Sequence, residues 1–189
     1  MKLVQSTIIT VLLLASFTGN AQAGGVEKSI YNVQAGTFGI WVNNETRLAN
    51  RLALRTEVGM DIAVFNSTGN GSAFAFTPSI GLEPRWYYNI SKRENKGKYT
   101  AGNSANFITL AIKYYPDLFV LGDVPGNYYV PDQISFVPKW GIRRSIAQSK
   151  FNYEAGLGIG YLRYLSDKRS SYQKSDAIVD IHLRIGYTF

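Results

Sequence analysis

Apolar and polar residues alternate along most of this chain. From Ala177 to Phe189 one set of positions holds Ala177, Val179, Ile181, Leu183, Ile185, Tyr187 and Phe189, and the intervening set holds Ile178, Asp180, His182, Arg184, Gly186 and Thr188. A period of two is that of a β-strand, whose successive side chains point to opposite faces. The pattern recurs where Leu52, Leu54, Thr56, Val58, Met60, Ile62 and Val64 oppose Ala53, Arg55, Glu57, Gly59, Asp61 and Ala63. Further segments place Ile80, Leu82, Trp86 and Tyr88 against Gly81, Glu83 and Arg85, and Ile108, Leu110, Ile112 and Tyr114 against Thr109, Ala111 and Lys113. Ile134, Phe136, Trp140 and Ile142 oppose Ser135, Lys139, Gly141 and Arg143, with Val137 an apolar residue on the polar side. Phe151, Tyr153, Leu157, Ile159 and Tyr161 oppose Asn152, Glu154, Gly156, Gly158 and Gly160.

With a less regular stretch from Val33 to Leu48, these make seven segments. They are separated by polar stretches at 66–75, 90–104, 117–132, 145–149 and 166–176 and by a tight turn at Ala49 to Arg51. Bacterial single-chain membrane barrels have even strand numbers. An eighth strand is therefore expected from splitting Ser29 to Leu48 at Gly36 or Gly39. The predicted fold is all-β: an antiparallel up-and-down transmembrane β-barrel of eight strands, with ten as the alternative count. Pro78, Pro84 and Pro138 fall inside strand segments, where a missing N–H removes a ladder bond, so bulges or local irregularity are expected there.

Alternation alone does not say which face is inside. A soluble barrel puts apolar residues in and charges out. Here the charged positions share their face with glycines, including Gly156, Gly158 and Gly160 in succession, as the confined interior of a narrow barrel requires and a solvent-facing surface does not. Large aromatics, among them Trp86, Tyr88, Tyr114, Trp140, Phe151, Tyr153, Tyr161, Tyr187 and Phe189, stand near strand ends on the apolar face, where interfacial girdles belong. Lipid outside and charges inside is the predicted orientation. The alternative is a soluble periplasmic or secreted barrel that carries a lipid or other apolar ligand, which requires the reverse. A mean hydropathy of −0.09 does not oppose the membrane reading, because alternating strands average out.

The first residues carry an export pattern. Lys2 precedes an apolar run from Thr7 to Phe17, and Ala21-Gln22-Ala23 is a small-x-small cleavage signal, so residues 1–23 are expected to be a signal peptide and the barrel domain to occupy 24–189. The apolar run is too short for a helix that crosses a bilayer. The remaining length suits one domain and eight strands of about 10 residues with their turns.

A chain ending in alternating apolar residues, with Tyr187 two positions before Phe189, resembles the C-terminal strand that bacterial outer-membrane barrels present to their assembly machinery. Gly81-Leu-Glu-Pro-Arg-Trp-Tyr-Tyr-Asn89, His182-Leu-Arg-Ile-Gly-Tyr-Thr-Phe189 and Leu52-Ala-Leu-Arg-Thr-Glu-Val-Gly59 look like the small outer-membrane β-barrel proteins of Bacteroidetes. The resemblance implies a place in the cell outer membrane, with its lipid and lipopolysaccharide as surroundings, the barrel-assembly machinery as a partner, and Tyr187 and Phe189 as the assembly signal. With Phe189 on the periplasmic side, loops 66–75, 117–132 and 166–176 face outward and 90–104 faces the periplasm.

An eight-stranded barrel is just wide enough to be filled by its own side chains. The inward face would carry Glu45, Glu57, Asp61, Glu83, Glu154 and Asp180 with Arg47, Arg55, Arg85, Lys113, Lys139, Arg143 and Arg184. Buried charges persist only when paired and hydrogen-bonded, so a structural lumen network is expected, joined by His182 as a hydrogen-bonding group. A narrow passive channel is the alternative use of the same residues. Hydrolytic chemistry lacks candidates: His182 is the one histidine, it shares a strand face with Asp180 and Arg184, and there is no cysteine. No catalytic residue, cofactor or metal site is expected, and the expected role lies in envelope structure or loop interactions. The formal net charge of +7 comes with no basic helix or stacking motif for nucleic acid. Lys92, Arg93, Lys96 and Lys98 form one basic turn. Lys168, Arg169 and Lys174 form another, placed for contact with lipopolysaccharide phosphates. The loop aromatics Phe74, Phe119, Tyr128, Tyr129 and Tyr172 suit either recognition or packing at the rim.

Overall fold

A computed structural model describes residues 25–67, 71–122, 130–165 and 174–189. The segment read as a signal peptide, residues 1–23, lies outside the described residues, as do Tyr128, Tyr129, Lys168, Arg169 and Tyr172.

The strands are β1 (Ser29–Gly36), β2 (Gly39–Ala49), β3 (Leu52–Ser67), β4 (Gly71–Trp86), β5 (Asn106–Tyr115), β6 (Gln133–Ser145), β7 (Phe151–Tyr164) and β8 (Ser175–Thr188). Each pairs antiparallel with its neighbours in sequence, and β1 pairs with β8 from Asn32↔Thr188 to Gly36↔Arg184, which closes the sheet. Closure leaves no unpaired edge, the liability of open sheets. The strand count is eight, and the eighth arises where the glycines predicted it: β1 ends at Gly36 and β2 begins at Gly39. Gly39 has φ +150°, and a Cβ there would collide with the Met60 carbonyl, so this tight turn requires glycine.

The 66–75 stretch is mostly strand, in contrast to its reading as a loop. β3 and β4 run to Ser67 and from Gly71 in one unbroken register from Leu52↔Trp86 to Ser67↔Gly71. Polar composition misled there because a long hairpin is stabilised by its pairing and not by apolar content.

Of the bulges or local irregularity expected at the prolines, the ladders show the second. The β4–β5 ladder skips Glu83 and Pro84 and resumes in the same register at Arg85↔Thr109. The β6–β7 ladder likewise skips Val137 and Pro138 between Phe136↔Tyr161 and Lys139↔Gly158. Pro78 pairs with Met60 on β3 and lies beyond the first β4–β5 pair, Ile80↔Tyr114. Each proline thus sits where one neighbour's ladder is interrupted, and its absent N–H breaks no register. The one irregularity in β2–β3 pairing lies between Arg47 and Ala49.

The two ends of the barrel differ. One, the terminal end, gathers the start of β1, the 49–52 and 146–150 turns, the segment 87–105 and Phe189. The other, the loop end, carries the 37–38 turn and the connections from β3 to β4, β5 to β6 and β7 to β8. At the terminal end the chain folds back as a cap containing the short helix α1 (Ile90–Glu94) and a 3-10 turn (Ala101–Asn103). Val26, Ala53, Tyr87, Ile90, Ala105 and Phe107 form a fully buried apolar cluster beneath it. Backbone bonds Val26 N to Asn50 O (2.9 Å), Tyr87 N to Arg51 O (2.8 Å) and Arg143 N to Ala105 O (2.9 Å) fasten the cap to the rim. Asn89 Oδ1 accepts from Asn106 N at 2.8 Å, and Arg93 Nε donates to Ser104 O at 2.8 Å. The length of this connection, unusual for a turn between barrel strands, is explained by that plug.

The outer wall is apolar. Val58, Ile159, Leu183 and Ile185 are each about 60–67% exposed, whereas Arg55, Arg85 and Arg143 are 0% exposed inside. The orientation predicted from glycine and aromatic placement therefore holds for the side chains. A Cβ on Gly59 would meet the Trp41 indole, one on Gly156 the His182 ring, and one on Gly158 the Lys139 side chain. The inward glycines make room for larger neighbours.

Candidate functional site

The interior holds a continuous network of ion pairs, some within one strand and many between different strands. Arg55 and Glu154, for example, are 99 positions apart in sequence. Nearest the cap, Glu45 on β2 is saturated. Its Oε1 accepts from Arg143 (2.7 Å) and Arg85 (3.2 Å), and its Oε2 accepts from the Tyr87 hydroxyl (2.7 Å) and Asn103 Nδ2 (2.8 Å). One carboxylate thus ties β4, β6 and both ends of the cap together. Burial first, and the Glu45 carboxylate second, push the Tyr87 hydroxyl well above the usual tyrosine range, so it stays protonated as the donor in that bond.

At mid-height Arg85 grips Glu154 with two bonds of 2.8 Å and also donates Nε to Glu83 at 2.8 Å. This forked geometry is the strong form of the interaction. Arg55 donates to both oxygens of Glu154 at 3.3 Å, to Gln34 Oε1 at 2.6 Å and to Glu57. Arg85 also lies over the Phe107 ring, 4.2 Å from its centre.

Toward the loop end the network opens. Arg184 donates to Glu57 at 2.6 Å and stacks 3.9 Å from the Trp41 ring centre. Lys113 pairs with Asp61 at 2.6 Å, and Lys139 bridges Glu83 and Asp180 at 3.3 Å each. His182 is buried, with Nδ1 3.4 Å from Asp180 and Nε2 3.3 Å from Glu154, the latter without hydrogen-bond geometry. Above these pairs lies a cavity of about 510 Å³ lined by Trp41, Thr77, Ala111, Tyr115, Val137 and Ile178, among others.

Of the inward charges read from the sequence, Glu45, Arg55, Glu57, Asp61, Glu83, Arg85, Lys113, Lys139, Arg143, Glu154, Asp180, His182 and Arg184 all join this network. Arg47 is half-buried near the terminal end of β2, away from the centre. Gln34, Trp41, Thr77, Asn103 and Phe107 belong to the interior as well and were not singled out from the sequence. Trp41 shares strand parity with Glu45, and Thr77 with Glu83, which is the signal that could have found them.

Other candidates lie elsewhere. Tyr187 and Phe189 are exposed on the outer wall at the terminal end, in an edge-to-face chain Phe151–Tyr187–Phe189 with ring centres 5.2 and 5.3 Å apart. Trp86 and Trp140 share that level with Tyr88, whose hydroxyl accepts from Trp140 Nε1 at 2.9 Å. Lys174 is exposed just before β8. Phe74 and Phe119 are exposed. Among the described residues, no three of His, Cys, Asp and Glu converge as a metal site needs. Comparison with protein-family models, curated proteins and solved structures found no match.

Proposed function

We propose that this chain is an integral barrel of the bacterial outer membrane, exported by a cleaved leader, with a lumen shut to ions and a role in envelope structure or in contacts made by its outward loops. The observation that carries the reading is the inverted polarity: an apolar wall outside and paired ions inside. Each large side chain on that wall gains about 1.5–3 kcal/mol on leaving water, and apolar patches on soluble monomers rarely exceed a few hundred Å². On β8 the outward run from Val179 to Tyr187 spans roughly 26 Å along the strand, or about 20 Å of height at a tilt near 40°. That is close to the apolar band of a membrane barrel. The aromatic ring at the terminal end supplies the girdle such a band requires.

In this reading the terminal end faces the periplasm and the loop end faces outward, bringing Lys174 toward lipopolysaccharide. Tyr187 and Phe189 serve as the signal read by the barrel-assembly machinery, consistent with the resemblance to small Bacteroidetes barrels. Among the described residues, each lysine and arginine of the central network meets a carboxylate, an arrangement that supports a structural role over an enzymatic one. The crossed guanidinium and carboxylate groups at mid-height, together with the apolar cap, favour a closed lumen over a conduit.

Export of the full chain in a Gram-negative host tests this. The expected result is recovery in the outer-membrane fraction, a gel mobility that shifts on boiling, and no steady conductance of the purified protein in planar bilayers. Recovery of the mature chain as a detergent-free periplasmic solute would overturn the membrane placement and favour a soluble carrier.

A further inference from the structure

The loop-end half of the barrel holds more than a structural network needs. Its cavity, about 510 Å³, falls within the range of small-molecule sites and is walled by apolar residues together with the paired charges of the network's upper part. Trp41, Ala111, Val130 and Val137 are buried along it, and Tyr115 and Ile178 line it nearer the loop end. Among the polar lining groups, Thr77 is 3% exposed and its hydroxyl has no hydrogen-bond partner. Buried polar groups are normally bonded, so the orphaned hydroxyl of a residue on the cavity wall marks a position where a ligand atom, met by a turn of the Thr77 side chain, would supply a missing bond.

The charges around the cavity define what can enter. Each cation there already has a carboxylate: Lys113 has Asp61, Lys139 has Glu83 and Asp180, and Arg184 has Glu57. In the wider network Glu45, Glu57, Asp61, Glu83, Glu154 and Asp180 balance Arg55, Arg85, Lys113, Lys139, Arg143 and Arg184. A ligand bearing net charge would be desolvated without a counter-ion of its own. We infer that this half of the lumen is a dead-end binding site for a small uncharged amphiphile, with a ring or short alkyl body against Val137, Ala111 and Tyr115 and one hydroxyl or carbonyl group bonded to Thr77. The site rests on the lumen geometry and stands or falls independently of where the barrel resides.

The chain offers a built-in reporter. Trp41 is buried in the cavity wall, whereas Trp86 and Trp140 are about half exposed on the outer surface. The variant Trp86→Phe/Trp140→Phe therefore leaves a single lumen tryptophan. Its emission is titrated, for the folded full-length protein in detergent micelles, with 4-nitrobenzyl alcohol as an uncharged quencher and with 4-nitrobenzoate as a charged analogue of similar shape. Saturable quenching by the alcohol and only weak, non-saturating quenching by the carboxylate are expected. Ala111→Phe, which fills the cavity, should abolish saturation. Thr77→Val, which keeps the shape and removes the hydroxyl, should weaken binding about fivefold, the loss of one neutral hydrogen bond. Boiling-sensitive gel mobility verifies that each variant is folded, and Thr77→Val carries the test if Ala111→Phe does not fold. Quenching by the alcohol that never saturates, equal affinity for the two probes, or affinity unchanged in the folded variants would each overturn the inference.

Discussion

Single residues in this barrel carry unequal weight, and the inequality follows from which side of the wall they face. Glu154 receives Arg85 through two 2.8 Å bonds and Arg55 through two more at 3.3 Å, with no exposure to solvent. Removing one partner of such a cluster leaves buried guanidinium groups uncompensated, a loss of about 3–5 kcal/mol. Glu154→Leu is therefore expected to lower the urea midpoint of the micelle-folded protein sharply. The further change Arg85→Met should restore part of that loss, because the two residues are coupled. A decrease below about 1 kcal/mol for Glu154→Leu would contradict the network's structural role. The charged members of this network were legible in the sequence because parity assigns each to the inner face. Which carboxylate meets which cation was not, since that depends on strand stagger around the barrel. Thr77 and Trp41 escaped notice because neither residue type signals an interior role by itself, although each shares its strand's parity with an inward carboxylate, Glu83 and Glu45.

At the scale of elements, the strands were readable and the cap was not. Period-two alternation located seven segments, and the rule of even strand numbers together with Gly36 and Gly39 supplied the boundary between β1 and β2. The 87–105 segment has no such period. Its helix is only Ile90–Glu94, its N-cap residue Asn89 makes no side-chain capping bond, and its order comes from contacts with the rim and with Glu45. Tertiary contact overrides weak local preference in such a case. Ile90 is completely buried in the cap's apolar cluster, so Ile90→Ala should cost roughly 2–5 kcal/mol locally. Because the ladders do not depend on it, that variant is expected to keep its boiling-sensitive mobility while trypsin cuts faster at Lys92, Lys96 and Lys98. Unchanged cleavage rates would show that the cap is not held by this cluster.

For the molecule as a whole, the asymmetry along the axis organises the rest: an apolar plug at one end, crossed ion pairs in the middle, and a cavity walled by apolar residues and paired charges at the other. The glycines that face inward and the aromatics that ring the outer wall point the same way as the alternation, and that agreement is why the polarity of the wall could be read before the fold was known. The cavity could not, because its volume depends on which long side chains reach across the lumen and which are drawn into pairs. The central claim is that the outer wall meets acyl chains, and the absence of native cysteine allows a background-free test. Spin labels attached to single cysteines replacing Val179, Ile181, Leu183 and Ile185, with the protein reconstituted in lipid vesicles, would report collisions with oxygen and with a water-soluble nickel chelate. High oxygen and low nickel accessibility at all four positions is predicted; high nickel accessibility along this face would place it in water and contradict the account.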